Sequence, residues 1–338
     1  MKNKKKIISL IISLTILIFI YSKIDFPGLI KVLQNSHSTW MIISLSMFIP
    51  LTMITGWRLQ QLMPREFIIL TDGMGRKNKK QQPTSLTFLE ANKLILAASV
   101  LNMVLPSKMG DIAKAYFMQK RGHLSGSLSL SLVIFEKTCD MLSLLLWCVF
   151  GLLLYPQKDV LFWLMTWGVG GGLLFGLLLL GSRRFAHFFF KSARKILPVK
   201  MRRKLDKFHL AWLEMHTYFW RDQQQLMTIA TTSIFIWFGH LLQIWFFILA
   251  LNAWAPFLSN LAIAPLAILA GLLPLTFAGV GTRDAALILF YQTYFAAPTA
   301  AALGILCTSR YLLPAIAGLP FLHEYLAGVE DWQKSQAN

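Results

Sequence analysis

Long apolar segments recur along the whole chain, and they limit its fold more than any other feature. The hydrocarbon core of a bilayer is about 30 Å thick, and a helix needs roughly 20 apolar residues to cross it. None of the segments shows the polar–apolar alternation that a membrane barrel requires. They cover residues 7–20, 40–57, 86–105, 124–154, 160–181, 226–254, 261–275 and 300–322. The sequence therefore predicts an all-α fold, a polytopic transmembrane helix bundle.

The composition agrees with a membrane protein, because 56% of the 338 residues are hydrophobic and only 14% are charged. A soluble chain of this length needs more polar surface to cover its core. The N-terminal lysines and apolar run resemble a secretory signal, but no cleavage motif of small residues follows, so an uncleaved first helix is predicted. We expect one integral membrane domain over 1–338, with a first half at 1–182, a cytoplasmic amphipathic segment at 183–222 and a second half at 223–326.

The net charge is +18, but the positions of the basic residues indicate topology rather than nucleic-acid binding. The intervening segments 21–38, 155–159 and 252–260 together hold only three lysines. The basic residues crowd instead into 2–6, 58–80, 120–121 and 183–221. This pattern predicts a multi-pass protein of the plasma (inner) membrane, with the N-terminus and the basic loops on the cytoplasmic side, and no nucleic-acid partner.

Two apolar segments are interrupted by proline, glycine and charged residues. They read LNMVLPSKMGDIAKAYFM at 101–118 and LAGLLPLTFAGVGTRDAALILF at 269–290. Because the loops on both sides of the first are basic, the chain between them crosses an even number of times and forms a re-entrant-like hairpin. Two broken segments in corresponding halves are typical of a transporter's binding site. The alternative is a pair of kinks that only shape the bundle.

The residues at the two breaks favour an anion. Each resumed half-helix begins with free N–H groups and a positive dipole end, and basic side chains lie nearby. Thr282 is predicted as an N-cap. Asp111 and Asp284 have a second interpretation, as first-turn partners of the helix dipole. The candidate phosphate-binding residues are Lys108, Gly110, Asp111, Lys114, Gly279, Gly281, Thr282, Arg283 and Asp284.

Glu136 and Asp140 lie four residues apart in an otherwise apolar segment, so one helix face carries both carboxylates. Charges at the centre of a membrane helix face an interior and usually have partners. The candidate partners are Lys137, Arg283 and Arg310. A structural ion-pair network and a direct role with substrate or protons both remain open.

The segment between the halves is amphipathic. Apolar residues recur there at three- and four-residue steps, Lys and Arg occupy many other positions, and Pro198 divides the stretch. The pattern predicts a pair of helices on the cytoplasmic lipid surface, able to bind anionic head groups. The apolar positions are Leu205, Phe208, Trp212, Met215 and Phe219.

The broken segments and the acidic pair together resemble the lysylphosphatidylglycerol synthase transmembrane-region family, whose members are also called flippase-like proteins. The family pattern is asparagine, leucine-proline, glycine-acid and a basic residue, then Glu-Arg-x-x-x-Asp, then GGxGxRE. The departures are conservative: Lys114 and Lys137 stand where the family has Arg, Ala278 stands for the first glycine of GGxGxRE, and Asp284 stands for its Glu. The matching positions are Asn102, Leu105, Pro106, Gly110, Asp111, Lys114, Glu136, Asp140, Gly279, Gly281, Arg283 and Asp284.

The resemblance implies a flippase for an anionic phospholipid or a polyprenyl-phosphate-linked glycan. Alternatives are a membrane subunit that needs a separate soluble transferase, and a non-catalytic component of envelope assembly. We expect no enzyme activity, because no Asp-x-Asp, His-Glu-x-x-His or nucleophile–base pattern is present and no transferase domain follows the last apolar helix. We expect no cofactor, and the three cysteines lack metal-binding spacing. Gly110 and Gly281 are predicted to meet at membrane depth, with Glu136 or Asp140 lining the same cavity.

Overall fold

The computed structural model describes residues 26–63, 68–71, 77–81, 86–104, 110–120, 126–155, 158–273 and 281–337. The predicted first helix at 7–20 lies outside these residues. The prediction of an all-α helix bundle is confirmed. The helices are α1 Phe26–Gln34, α2 Ser38–Ser46, α3 Phe48–Leu62, α4 Phe88–Val104, α5 Gly110–Lys120, α6 Gly126–Leu154, α7 Val160–Gly181, α8 Arg183–Ile196, α9 Val199–Phe219, α10 Gln223–Ala250, α11 Phe257–Leu272, α12 Thr282–Tyr291 and α13 Ala297–Ala337.

A short antiparallel hairpin is the exception to the helical fold. Strands β1 (Ile68–Thr71) and β2 (Lys77–Gln81) pair with Ile69 opposite Lys80. Sequence analysis did not predict it, because periodicity is a weak guide to a two-stranded ribbon of this length. The hairpin lies in the basic segment between α3 and α4, where its composition keeps it out of the hydrocarbon.

Five helices in the described residues are long and apolar enough to cross a membrane. They are Ser38–Leu62 (α2 with α3), Leu128–Leu154 in α6, Val160–Gly181 (α7), Gln223–Ala250 (α10) and Ala297–His323 in α13. In contrast, α5 has 11 residues and α12 has 10. At about 1.5 Å per residue each covers about half of a 30 Å core, so both are half-helices.

The segments predicted to share a membrane side lie together in the fold. At one end, Gln60 Nε2 donates to Leu86 O at 2.9 Å, and Trp220 Nε1 donates to Leu180 O at 3.1 Å. This end holds the end of α3, the start of α4, the end of α7 and the region of α9. It is called here the basic end, because these elements belong to or adjoin the basic segments 58–80 and 183–221. At the opposite end, Asn252 Nδ2 donates to Asn35 O at 2.5 Å.

The two broken segments enter the bundle from opposite ends. The α4–α5 hairpin starts and finishes at the basic end, and a side chain at Gly110 would collide with Ala98 O where the two helices pack. The α11–α12 hairpin starts and finishes at the opposite end, and a Cβ at Gly271 would lie 2.7 Å from Arg283 Cβ. In both hairpins the close contact joins residues twelve positions apart. The half-helices therefore point towards the membrane centre from opposite sides.

Close helix contacts hold these hairpins in place. Helix α4 packs along α13, where a side chain at Gly318 would collide with Leu96 O. Helix α11 packs on α6, where a side chain at Gly151 would collide with Ala262 O. Backbones approach this closely in membrane bundles where small residues replace larger ones.

The amphipathic helices differ from the prediction in what their apolar face covers. The division at Pro198 is confirmed, since it is the N-cap of α9. However, Trp212, Met215 and Phe219 are buried in protein, and the Phe219 ring stacks on Phe135 of α6 at 3.8 Å between centroids. Periodicity identifies an apolar face without identifying whether lipid or protein covers it. Lipid-facing apolar surface remains at the α8–α9 corner, where Ile196 is 85% exposed.

Candidate functional site

Six charged side chains form a continuous chain of ion pairs with alternating sign, called here the ion chain. Arg58 Nη2 donates to Glu136 Oε1 at 2.9 Å and to Asp140 Oδ2 at 3.3 Å. Lys137 Nζ lies 3.3 Å from Asp140 Oδ2 and 3.4 Å from Asp111 Oδ1, and Lys114 pairs with Glu136. In order, the ion chain is Lys114, Glu136, Arg58, Asp140, Lys137 and Asp111. Three cations balance three carboxylates, so its net charge is zero.

The ion chain links three helices, and a hydrogen bond connects it to a fourth. Glu136 and Asp140 lie four residues apart on one face of α6, and Asp111 and Lys114 lie three apart in the first turns of α5. Helix α3 supplies Arg58. Ser233 of α10 accepts a hydrogen bond from Arg58 Nη1 at 2.7 Å. Charged residues that lie in separate apolar helices of the sequence are thus brought together in one connected polar cluster.

Exposure along the ion chain is lowest at its Lys114 end and highest at Lys137, and it falls to 13% at Asp111. The side chains of Arg58, Glu136 and Lys114 are 1–3% exposed, whereas Lys137 is 43% exposed. Asp140 is 21% exposed and lies beside it. Lys137 follows the first residue of α6 by eleven positions, which is about 16 Å along the axis, and it lies within the membrane-spanning segment Leu128–Leu154. A cation therefore reaches an open edge of the ion chain at membrane depth.

Arg58 is the functional candidate that sequence analysis missed. Of the proposed partners for Glu136 and Asp140, Lys137 contacts Asp140, whereas no salt bridge joins either carboxylate to Arg283 or Arg310 in the described part of the chain. Arg58 was assigned to the basic cytoplasmic loop because it precedes that loop. The available signal was that Arg58 directly follows the apolar segment 40–57, because a long Arg side chain reaches several ångströms along a helix.

At the second break, Arg283 and Asp284 form a closed pair. Arg283 Nη2 donates to Asp284 Oδ1 at 2.8 Å, to Gly304 O at 2.9 Å and to Thr308 Oγ1 at 2.8 Å. Both charged side chains are at most 4% exposed. Arg283 therefore fastens α12 to α13 and is satisfied within the protein.

The first turn of α12 corrects one prediction. The N-cap is Gly281 rather than Thr282, and its φ of 100° is a conformation that favours glycine. Asp284 Oδ2 accepts a hydrogen bond from Gly281 N at 3.1 Å. A carboxylate at this place stabilises the helix N-terminus, which supports the interpretation of Asp284 as a dipole partner.

Arg310 is a buried cation of a different kind. It is 8% exposed, and its Nε atom is buried without a hydrogen-bond partner. Its guanidinium carbon lies 6.0 Å from the centroid of the Tyr311 ring. Within the described ranges no carboxylate forms a salt bridge with it. With the Arg283–Asp284 pair neutral, Arg310 leaves this region of α13 with an excess positive charge.

The remaining predicted residues divide into two groups. Asn102 lies beside Gly110, and its buried Oδ1 atom has no hydrogen-bond partner. Pro106, Lys108 and Gly279 lie outside the described residues. Among residues that the structure describes, no salt bridge joins the ion chain to Arg283, so the predicted meeting of Gly110 and Gly281 stays a prediction. The same residues contain no cluster of His, Cys, Asp and Glu that could hold a metal ion.

Comparison with known proteins identifies a family and a similar membrane protein. Residues 6–318 match the family model described as the lysylphosphatidylglycerol synthase TM region. The chain is also 23% identical over 336 residues to a UPF0104 membrane protein of Methanocaldococcus jannaschii, and the alignment covers 94% of each chain. No solved structure matches the chain.

Proposed function

The chain belongs to the family of lysylphosphatidylglycerol synthase transmembrane regions, and we propose that it moves an anionic, phosphate-bearing head group across the bilayer. The cargo is a phospholipid or a lipid-linked glycan whose tails stay in the hydrocarbon. The protein acts in the plasma membrane with its N-terminus on the cytoplasmic side. It acts by binding and release, with no chemical step of its own.

The observation that carries the proposal is the exposure of Lys137 at membrane depth. A network that only held helices together would gain nothing from a lysine that is 43% exposed about 16 Å into a spanning helix. Charged groups in such positions normally mark the path of a polar substrate. Lys137 lies on α6 and contacts Asp111 at the first break, so it joins a spanning helix to the end of a half-helix.

Arg310 supports a second anion contact on the other half of the protein. Among the described residues no carboxylate forms a salt bridge with Arg310, and a buried guanidinium in that state is costly unless an anion reaches it. It is carried by α13, which packs along α4 of the first hairpin. We therefore assign phosphate binding to Lys137 and Arg310, and we assign Arg283 to holding α12 in place.

Transport by purified protein tests the proposal. In vesicles of phosphatidylcholine and phosphatidylglycerol at three to one, the protein should flip fluorescent phosphatidylglycerol without any added component. Lys137→Gln should slow flipping by about tenfold or more, because a neutral amide makes weaker hydrogen bonds to an oxyanion. Lys207→Gln is the matched control, since Lys207 is exposed on α9 outside the spanning helices.

Each outcome separates the proposed function from its alternatives. Flipping that appears only when a soluble transferase is added would favour the membrane-subunit alternative. Intact protein that does not flip lipid under either condition would favour a component of envelope assembly and contradict the proposal. Equal rates for Lys137→Gln and Lys207→Gln would remove Lys137 from the path.

A further inference from the structure

The ion chain divides into two neutral parts, and its exposure is highest at Lys137 (43%), which lies between Asp140 (21%) and Asp111 (13%). Lys114, Glu136, Arg58 and Asp140 balance two cations against two carboxylates, and three of these side chains are at most 3% exposed. The rest of the ion chain is one pair, Lys137 with Asp111, whose contact of 3.4 Å is the longest in it. The ion pair of Lys137 with Asp111 can therefore open while the other four side chains stay paired with one another.

A phosphate that binds Lys137 changes the charge balance of the site. Asp140 keeps its contacts with Arg58, and Glu136 keeps Arg58 and Lys114. Asp111 loses Lys137, which is the cation in salt-bridge contact with it among the described residues. A carboxylate left without its cation in a low-dielectric site favours its protonated form.

On the basis of the proposed function, we infer that Asp111 takes up one proton when a lipid phosphate replaces it on Lys137. The phosphate oxygen forms the ion pair that Asp111 gives up, and a hydronium ion from the adjoining water donates its proton to the Asp111 carboxylate. When the head group leaves, the carboxylic acid returns that proton to water and the ion pair with Lys137 forms again. One proton therefore accompanies each monoanionic head group.

The charged groups around Asp111 are consistent with a single proton. Helix α6 presents Lys137, and the next carboxylate on that helix, Asp140, remains paired with Arg58 of α3. On α5 itself, Lys114 is occupied by Glu136. Helix α4 places the uncharged Asn102 beside the start of α5, and α13, which also packs on α5, carries Arg310 at membrane depth. Lys108 belongs to the same break but lies outside the described residues.

This step makes transport of a monoanionic lipid electroneutral. A phosphate diester with one negative charge and one proton cross together, so a pH gradient drives net movement and a membrane potential does not. At equilibrium a one-to-one symport accumulates the labelled lipid by about tenfold per pH unit. The same step predicts that binding alone takes protons from the buffer.

Calorimetry on the wild-type protein in detergent tests the proton uptake directly. Titration with dihexanoyl phosphatidylglycerol in two buffers of different ionisation enthalpy should show about one proton taken up per lipid bound. Asp111→Asn should bind lipid with no proton uptake, because the amide already resembles the neutral acid. Asp206→Asn is the control for removing a carboxylate, since Asp206 is 43% exposed and pairs with Arg194 outside the membrane. Lipid binding by the wild type with the same heat in both buffers would overturn the inference even if Asp111→Asn fails to fold.

Vesicles distinguish this inference from the proposed function. With fluorescent phosphatidylglycerol, a gradient of one pH unit should bias wild-type flipping towards the alkaline side, and a potassium diffusion potential should have no effect. Asp111→Asn should lose the response to pH, and Asp206→Asn should keep it. Wild-type flipping that ignores the pH gradient would overturn the proton step and leave the proposed function intact. Wild-type protein that does not flip lipid would overturn both, and a sodium-driven response without a proton response would replace the proton by a metal cation.

Discussion

Arg58 Nη2 donates to Glu136 Oε1 at 2.9 Å, at a place where the two side chains are 2% and 1% exposed. Neither group reaches water, so the pair ties α3 to α6 inside the bundle. Asp140 accepts from the same guanidinium, so Arg58 is the centre of the ion chain. The stability of the bundle and the opening of its exposed edge therefore depend on different members of the ion chain.

Replacing Arg58 should destabilise the bundle. Arg58→Gln leaves buried carboxylates without their cation, and we expect a loss of about 3–5 kcal/mol in the free energy of unfolding. Asp140→Asn in the same protein should restore part of that loss, because it removes the carboxylate in excess while Glu136 keeps Lys114 and Asp111 keeps Lys137. Denaturant titration in detergent measures both variants. An Arg58→Gln protein as stable as wild type would contradict the assignment of the buried part to stability.

Arg283 should matter for stability more directly than for phosphate binding. Arg283→Gln strands Asp284, so unfolding should become easier by several kcal/mol. Adding Asp284→Asn should recover part of the loss, whereas adding Glu136→Gln should not, because Glu136 pairs with Arg58 and Lys114. Thermal unfolding of the three proteins decides this. Recovery by Glu136→Gln instead of Asp284→Asn would show that Arg283 belongs to the ion chain.

Gly281 should resist substitution because of its backbone conformation. Its φ is 100°, so Gly281→Ala introduces strain of about 1–3 kcal/mol at the N-cap of α12. Gly168→Ala is the matched control. A side chain at Gly168 meets no atom within 4 Å on α7, and alanine there should be neutral or stabilising by up to about 1 kcal/mol. Equal melting temperatures for the two variants would contradict the strained cap.

Acid should loosen the α8–α9 region through His216. Burial and the nearby Arg183, whose Nε donates to His216 Nδ1 at 3.0 Å, lower the pKa of His216. The unfolded chain then binds more protons than the folded one at pH values below about 6.5, so stability is full above that value and falls as the pH drops through it.

The fluorescence of Trp220, which stacks on His216 at 5.4 Å between centroids, reports this change. His216→Phe should remove the part of the pH dependence that His216 causes, and His37→Phe, at the opposite end of the bundle, should not. An unchanged pH profile in His216→Phe would assign the response to another group.

Much of the fold follows from the sequence, because bilayer thickness and backbone hydrogen bonding leave few choices. The breaks at Gly110 and Gly281 were predicted from proline and glycine in apolar segments, and the spacing of Glu136 and Asp140 predicted a shared face. Arg58 was not predicted as their partner, because contacts between distant helices depend on packing that local spacing does not encode. The same limit applies to Trp212. Periodicity places it on the apolar face of a helix, but it does not identify the protein neighbour that covers that face.

The most direct test of the central claim restores a charge at residue 137. The cysteines at 139, 148 and 307 are buried, so a Lys137→Cys protein should react selectively with water-soluble thiosulfonates. A reagent that attaches an ammonium group should restore flipping of fluorescent phosphatidylglycerol in vesicles, and a reagent of similar size that attaches a sulfonate should not. Equal flipping after both reagents, or full flipping before either, would contradict the claim that a cation at this position carries the phosphate.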